Sequence, residues 1–378
     1  MKTPGVPAAA TTPSRPAPGG TPAEAGSIAD RVLAAAIGTL DILAIALGER
    51  LGYYRVLAQR GPLTAPALAT ASGTASRYAR EWLEQQAVTG LLEVADPGRE
   101  PDARRYRLRP GVAEVLADRD QLTYLAPLAR QLAAAARQLP ALARAYRSGG
   151  GVPWAAYGAD MRESEADLNR PSYLHLLADD WLAALPGVQQ RLRSYPPARV
   201  ADIGCGAGWS CIGLARGYPL LRVDGYDPDP ASVALARHNV AGAGLADRVQ
   251  VHQTDVTTAA NHGPYDLVTA FECVHDLPHP VPALAAMRRL AGQAGTVLIA
   301  DMKAAPQFAV PGGDVDRLLY GFSLLICLPD SMSTPGSAAT GTVLRPGTMR
   351  GYATEAGFRR IDILPIDHDV WRFYQLHP

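Results

Sequence analysis

Three glycines at alternate positions, Gly204, Gly206 and Gly208, follow the apolar run RVADI and lead into WSCIGLA, which has helical spacing. Glycine can take positive φ and lets a ligand approach the main chain closely, and the helix that follows would aim its free N–H groups at that ligand. Two acids stand at comparable places downstream. Asp227 ends RVDGYD, nineteen residues beyond Gly208, and Asp255 ends RVQVHQTD. A further stretch, YDLVTAFECVHDLP, closes on Glu272, His275 and Asp276, which are residue types that move protons.

The spacing here is GxGxG, with Asp202 before it and Trp209 where the dinucleotide fingerprint would continue toward a later glycine. A nicotinamide cofactor is therefore not expected. An acid inside the loop would repel a pyrophosphate lying on a helix N-terminus, but it suits a ligand carrying a cationic amine. S-adenosylmethionine has such an amine, a sulfonium and no phosphate. Asp227 can accept from both ribose hydroxyls, and Asp255 is placed to accept from the adenine amino group, with Val256 against the ring. A glycine-rich turn alone is often only a tight turn; three such elements at successive strand ends predict a nucleoside site.

In ECVHDLPHP, His275 is the best candidate base and Asp276 its candidate orienter, while Glu272 could be a second base or a partner for the cofactor amine. The alternative is that Asp276 caps a helix and His275 is packed or solvated. His279, between two prolines, is a weaker candidate. A base is needed only if the acceptor is protonated, as a phenol or carbon acid is. No carboxylate cluster at metal-ligand spacing follows this strand, so no metal is expected.

These groups need a frame that brings strand ends side by side. From Arg199 onward, β-rich runs alternate with helical ones: RVADI, RVDGYD, RVQVHQTD, YDLVTAF and GTVLIAD. Strands separated by helices form right-handed βαβ units and a parallel sheet. RRIDILPIDHDVWRFYQLH reads instead as two strands joined by a tight polar turn, an antiparallel hairpin at the sheet edge.

Upstream, apolar residues recur at helical spacing from Ile28 to about Leu57. Gly61-Pro62 then breaks the chain, and Thr64 is placed to cap a short helix over Ala65–Ala71 that Gly73 ends. A second helix from about Ala75 carries Tyr78, Trp82, Leu83 and Val88, and Leu91–Val94 and Arg105–Leu108 read as short strands. Together these make a winged helix. Ten arginines face nine acids between Gly38 and Val115, too near balance for a groove-reading surface. A packing or dimerisation module is the better reading. Gln121–Arg147 is expected to be helical with Pro127 inside it, and SGGGVPW to be a flexible joint. The expected domains are a disordered tail over 1–26, the winged helix over 27–115, a helical connector and lid over 116–195 and an α/β domain over 196–378.

Composition bounds the rest. The 378 residues exceed one ordinary core. Apolar residues make up 48% and charged residues 19%, and 36 basic residues balance 36 acidic ones, so nothing global attracts nucleic acid or an anionic membrane. No uninterrupted apolar run approaches the ~20 residues of a membrane helix, and no signal-like segment opens the chain. The four cysteines lack CxxC spacing, which fits a reducing cytoplasm.

The motifs VADIGCGAG, VDGYD, QTDV and YDLVTAFECVHDLP resemble those of class I S-adenosylmethionine-dependent methyltransferases, from about Arg199 to the C-terminus. GPLTAPALATASG is similar to the helix-turn-helix of bacterial small-molecule methyltransferases, in which the module supports dimerisation or covers the substrate pocket. The fold implied is α/β: a Rossmann-like, mostly parallel seven-stranded sheet with a terminal antiparallel hairpin, preceded by an α-helical winged-helix domain. The resemblance implies S-adenosylmethionine as cofactor, with Asp202, Gly204, Cys205 and Gly206 at its methionine end. It further implies Asp227 and Pro228 at the ribose, Asp255 and Val256 at the adenine, and Phe271 and Glu272 bordering the methionine. The acceptor would be a small hydrophobic or aromatic molecule of secondary metabolism, the protein a homodimer, and Tyr157, Arg170, Tyr173, Tyr320 and Phe322 pocket residues, with His175 and Trp181 as further candidates. A transcriptional regulator that binds the same cofactor, or a methyltransferase-fold enzyme doing other chemistry, are the alternatives.

Overall fold

The alternating runs assemble into one seven-stranded sheet in the computed structural model, which describes residues 21–259 and 262–378. With β1 (Leu92–Val94) and β2 (Tyr106–Leu108) forming a separate antiparallel wing, the sheet strands are β3 (Arg199–Ile203), β4 (Arg222–Asp227), β5 (Val249–Gln253), β6 (Leu267–Phe271), β7 (Thr296–Met302), β8 (Arg360–Ile363) and β9 (Trp371–His377). Their order is β5-β4-β3-β6-β7-β9-β8, parallel from β5 to β7, with β9 antiparallel to both its neighbours. The chain runs outward one way from β3 and returns the other way from β6. The crevice where ligands bind in such sheets therefore opens at the carboxyl ends of β3 and β6. One detail departs from expectation: residues 364–370 separate β8 from β9, so the final connection is a loop and not a tight turn.

The wing belongs to the expected winged helix. Its helices are α2 (Tyr53–Arg60), α3 (Ala65–Ser72) and α4 (Ser76–Val88), preceded by α1 (Pro22–Arg50) and followed by α5 (Val112–Leu116). Thr64 caps α3 by accepting from the Ala67 N–H, and Gly73 closes it at φ 66°. Trp82 and Leu83 enter the core beside Tyr53 and Tyr54, while Tyr78 and Val88, expected on the same helix, face solvent. α1 starts earlier than its apolar pattern because Thr21 and Glu24 form a capping box, Thr21 donating its N–H to Glu24 Oε2 at 2.7 Å. The expected disordered tail thus gives way to helix at Pro22, and its first twenty residues lie outside the described ones. The described residues up to Ile42 form a unit of their own, along which Ile28, Val32, Leu33, Ile37 and Leu40 are each more than half exposed. By length and composition alone, Ala23–Arg50 is apolar enough to cross a membrane. Counting uninterrupted runs misses it because Asp30, Arg31 and Asp41 interrupt the sequence.

Two helices, α6 (Ala126–Ala136) and α7 (Leu139–Ser148), replace the expected single one, with Pro127 in the first turn of α6, where its missing N–H costs nothing. The SGGGVPW segment is not a free joint. The Val152 N–H donates to Pro329 O at 2.9 Å, and a Cβ on Gly151 would lie 2.2 Å from that oxygen. The long α8 (Trp154–His175) breaks its helical geometry at Gly158, φ 78°, and ends in a widened π turn over 177–181. Then come α9 (Pro186–Leu192), α10 (Trp209–Gly217), α11 (Pro230–Gly242), α12 (Pro280–Ala291), α13 (Asp314–Phe322), α14 (Leu328–Ser331) and α15 (Pro346–Glu355). Apolar side chains cover both sheet faces, with Tyr173, Trp181, Trp371 and Phe373 clustered on one of them.

Glycine sets how closely α8 approaches the sheet-bound α10. A Cβ on Gly213 would lie 2.2 Å from the Tyr173 carbonyl oxygen, and backbone cannot swing aside as a side-chain tip can. Gly213→Ala should therefore destabilise the fold by about 2 kcal/mol through overpacking, read as a lower midpoint in thermal unfolding; an unchanged midpoint would refute the close approach.

Candidate active site

The three loop glycines at the end of β3 adopt φ 67°, 50° and 78°, conformations that cost an L side chain strain. Each meets a different neighbour. A Cβ on Gly204 would lie 2.8 Å from the Cys273 sulfur, and one on Gly208 would touch Ala236 at 3.1 Å. In front of Gly206 there is only open space. Gly206 is thus the position at which a ligand can lie on bare backbone. Its N–H donates to Asp227 Oδ2 at 2.9 Å, so the end of β4 is tied to the loop after β3. Asp227 Oδ1 accepts from the Asp229 N–H at 2.9 Å. Each carboxylate oxygen keeps acceptor capacity beyond its one backbone donor. Burial pushes this carboxyl up to about 6.

Asp202 is fully buried and its carboxylate is held from three sides: Thr269 donates at 2.6 Å, the Cys211 thiol lies at 3.3 Å, and Ser210 in the first turn of α10 donates as well. Burial raises this carboxyl above the usual range. Its main observable action is to hold the loop, although it also borders the cleft.

That cleft lies between the glycine loop and α8. Trp154, Tyr173 and Phe271 give it an aromatic wall, and Glu165, Asn169 and Glu272 a polar end. The Asn169 amide bridges two carboxylates, donating to Glu165 Oε1 at 2.8 Å and to Glu272 Oε2 at 2.6 Å. Burial raises Glu272 well above the usual carboxyl range, and the charge of Glu165 raises it further; Glu165 is raised likewise. Glu272 sits at φ 54° in the left-handed region, with its N–H donating to Ala300 O. A strained residue held over a pocket is a mark of a working site. Such a cleft end favours a cation.

His275 is buried just beyond Glu272, and its orienting partner differs from the one expected. Nδ1 bonds Asp301 Oδ1 at 2.7 Å, at the end of β7, and the His275 N–H donates to Asp301 Oδ2 at 3.2 Å. Asp276, expected as orienter, lies on the other side, 3.4 Å from Nε2. Burial alone would push the imidazole down; the charges of Asp276 and Asp301 outweigh it and hold His275 well above the usual histidine range.

The remaining candidates scatter. Asp255 is exposed and accepts from the Thr257 N–H, with Val256 buried behind it. Cys205 borders the cleft, and Pro228 follows Asp227 outside its lining. Of the substrate candidates only Tyr173 lines the cleft. Arg170 stacks over the Trp209 ring at 4.8 Å and pairs with Asp120. Tyr157 donates to Leu325 O, Tyr320 accepts from Arg345, and Phe322 packs on the apolar cluster around Tyr157. Trp181 is core, and His175 and His279 are exposed. Sequence reasoning misses Glu165, Asn169 and Asp301. The four-residue spacing of the first two, and an acid closing GTVLIAD as acids close its neighbours, were the available signals.

Residues 200–295 match the family described as a methyltransferase domain, and residues 38–118 an Rv2258c-like winged HTH domain. Residues 200–295 thus carry the signature of a methyltransferase domain. Among solved structures, it is similar to an O-methyltransferase family protein from Burkholderia thailandensis (TM-score 0.64, 16% identity, 95% of this chain and 98% of that one). It is also similar to a mitomycin 7-O-methyltransferase (0.63, 22%, 94% and 99%) and to human N-acetylserotonin methyltransferase, solved with its cofactor (0.63, 18%, 92% and 97%). At these identities the likeness is one of fold. A tRNA1(Val) (adenine(37)-N6)-methyltransferase of Yersinia pestis is 37% identical over 90 residues, 23% of this chain; the match spans about a third, 34%, of that relative. The cofactor of this methyltransferase fold is S-adenosylmethionine, and the residues present suit it: bare backbone at Gly206, an acceptor at Asp227 and an acidic end for the amine.

Proposed function

We propose that this protein transfers a methyl group from S-adenosylmethionine to a small hydrophobic or aromatic acceptor. The cleft shared by Gly206, whose N–H holds Asp227, and the Glu165–Glu272 pair carries the reading: bare backbone beside an acceptor for ribose hydroxyls, and an acidic partner for an ammonium group. The bound cofactor supplies an electrophilic methyl and a neutral leaving group, so the chain itself mainly aligns, desolvates and removes a proton. His275 takes that proton from an acceptor hydroxyl, and Asp301 fixes its tautomer through Nδ1. The aromatic wall of Trp154, Tyr173 and Phe271 supports a flat apolar acceptor, as do the names of the two structural relatives, which act on mitomycin and on N-acetylserotonin.

The regulator reading is less favoured because the arginines near the groove-facing helix and wing are already engaged within the module. Arg77, Arg80, Arg104 and Arg107 pair with Glu81, Asp102, Glu84 and Glu93. The apolar residues exposed along α1 support a homodimer, and four free cysteines support a reducing cytoplasm. Calorimetric titration with S-adenosylmethionine and S-adenosylhomocysteine should give micromolar binding of each at one per chain, with a mass gain of one methyl on screened phenolic acceptors. Absence of binding by both, together with a shift of duplex DNA in a gel, would replace this reading with the regulator.

A further inference from the structure

A second cavity lies at the seam between the winged-helix module and the helices that follow it, walled by the end of α1, by α2, by the segment after α5 and by α6 and α8. Its walls carry charges of both signs: Glu49, Glu163 and Asp167 stand among Arg55, Arg119 and Arg130. We propose that this cavity binds a small zwitterion of the α-amino acid type, with its ammonium group against Glu49 and its carboxylate against Arg55.

Four groups in the walls lack the partner that their chemistry calls for. The Tyr124 side chain is 4% exposed, and its hydroxyl makes no hydrogen bond among the described residues. Burial pushes that phenol up to about 12, so it stays a donor at neutral pH. Arg130 Nε is buried without a hydrogen-bond partner among the described residues, 3.8 Å from Glu49 Oε2 and so beyond bonding reach. The Glu49 carboxylate accepts no hydrogen bond among the same residues, and burial raises it above the usual carboxyl range. The charge of Arg55 is felt at Glu49, yet Arg55 pairs directly with no acid among the described residues. Unpaired buried polar groups are costly. Water would satisfy the hydroxyl and the Nε–H, but it brings no counter-charge to the mostly buried Glu49. A zwitterion brings one to Glu49 and another to Arg55, and a wall whose signs balance favours it over a simple anion or cation.

The frame around these groups is fixed. Asp167 accepts from Arg130 at 2.7 Å and also pairs with Arg119, which joins the segment after α5 to α6 and α8. Gly52, φ 71°, turns the chain sharply between α1 and α2 and brings Glu49 and Arg55 to the same cavity. The site is separate from the cofactor cleft. Glu163 and Asp167 line this cavity, whereas Glu165 and Asn169 line the cleft by Gly206. Two residues along a helix turn it through about 200°, so α8 presents opposite sides to the two places. Zwitterion binding here does not depend on methyl transfer.

Each common α-amino acid is titrated calorimetrically into full-length protein saturated with S-adenosylhomocysteine, which keeps the probe out of the cleft. At least one should bind at one per chain, while acetate and methylammonium, each carrying half of the zwitterion, should bind at least about tenfold more weakly. Glu49→Gln should weaken binding about 10- to 100-fold, the size of a charge-assisted hydrogen bond, and Tyr124→Phe about 5-fold. No binding by any amino acid, equal binding of acetate or methylammonium alone, or wild-type affinity in Glu49→Gln overturns the site. Should Glu49→Gln not fold, Arg55→Gln takes its place, since that side chain is exposed: wild-type affinity in that variant overturns the site. Failure of S-adenosylhomocysteine itself to bind removes the proposed function and leaves the cavity to be judged by the Glu49 and Tyr124 variants, whose effect on amino-acid affinity does not involve the cleft.

Discussion

Asp227→Asn should weaken S-adenosylmethionine and S-adenosylhomocysteine binding by about 10- to 100-fold in calorimetric titration, the size expected from losing a charge-assisted hydrogen bond of about 1.5–3 kcal/mol. The substitution is close to isosteric, and an amide oxygen can still accept from the Gly206 N–H, so the loop after β3 should persist. The lost part is the second acceptor and the negative charge. A pH series separates this from general damage. Burial holds Asp227 at about 6, and the bound ribose requires the ionised form, so wild-type affinity should fall as pH drops through about 6. The asparagine variant has no group to protonate there and should show a flat profile over the same range. Equal affinities for wild type and variant at pH 7.5 would remove Asp227 from the cofactor site.

That acid was legible because everything that defines it is local. A β-rich run ends in it, glycines precede it by one βαβ unit, and the parallel order of β3 and β4 then sets the two strand ends side by side. The five parallel strands were legible for the same reason, since apolar runs of strand length alternate with helical ones. The partner of His275 was not. Its sequence neighbour Asp276 looks like the natural orienter, but the turn after β6 folds back toward β7. The register that sets Phe271 opposite Ala300 brings Asp301, the next residue of β7, within reach of the imidazole. Pairing across strands is decided by register, which no single-strand pattern encodes. The substrate-facing aromatics failed differently. Tyr157, Tyr320 and Phe322 do not line the cleft, and burial of apolar surface drew Tyr157 and Phe322 into one packed cluster. Glu165 and Asn169 face the cleft from α8 because Gly158 and the close contact at Gly213 fix that helix's approach, a tertiary event with no motif of its own.

The register argument carries the largest expected effect on turnover. His275→Gln should lower kcat by about 10²- to 10⁴-fold with little change in cofactor affinity, because it removes the proton acceptor and leaves the nucleoside contacts intact. Asp301→Asn should also lower kcat, as a positioning change: the amide can no longer hold Nδ1–H as a carboxylate does, and the productive tautomer is lost. A merely structural role for Asp301 would give a similar loss, so the pH profile decides. In the free protein Asp276 and Asp301 hold His275 well above the usual histidine range. The imidazole is then protonated at neutral pH, and kcat/KM should rise with pH on a limb displaced to the alkaline side. Removing the Asp301 charge takes away part of what stabilises the imidazolium. The limb should therefore shift to lower pH in Asp301→Asn even as its plateau falls. A lower plateau with an unmoved limb would mean that Asp301 only supports the fold, and an unchanged kcat in His275→Gln would assign proton removal to another group or to the acceptor itself.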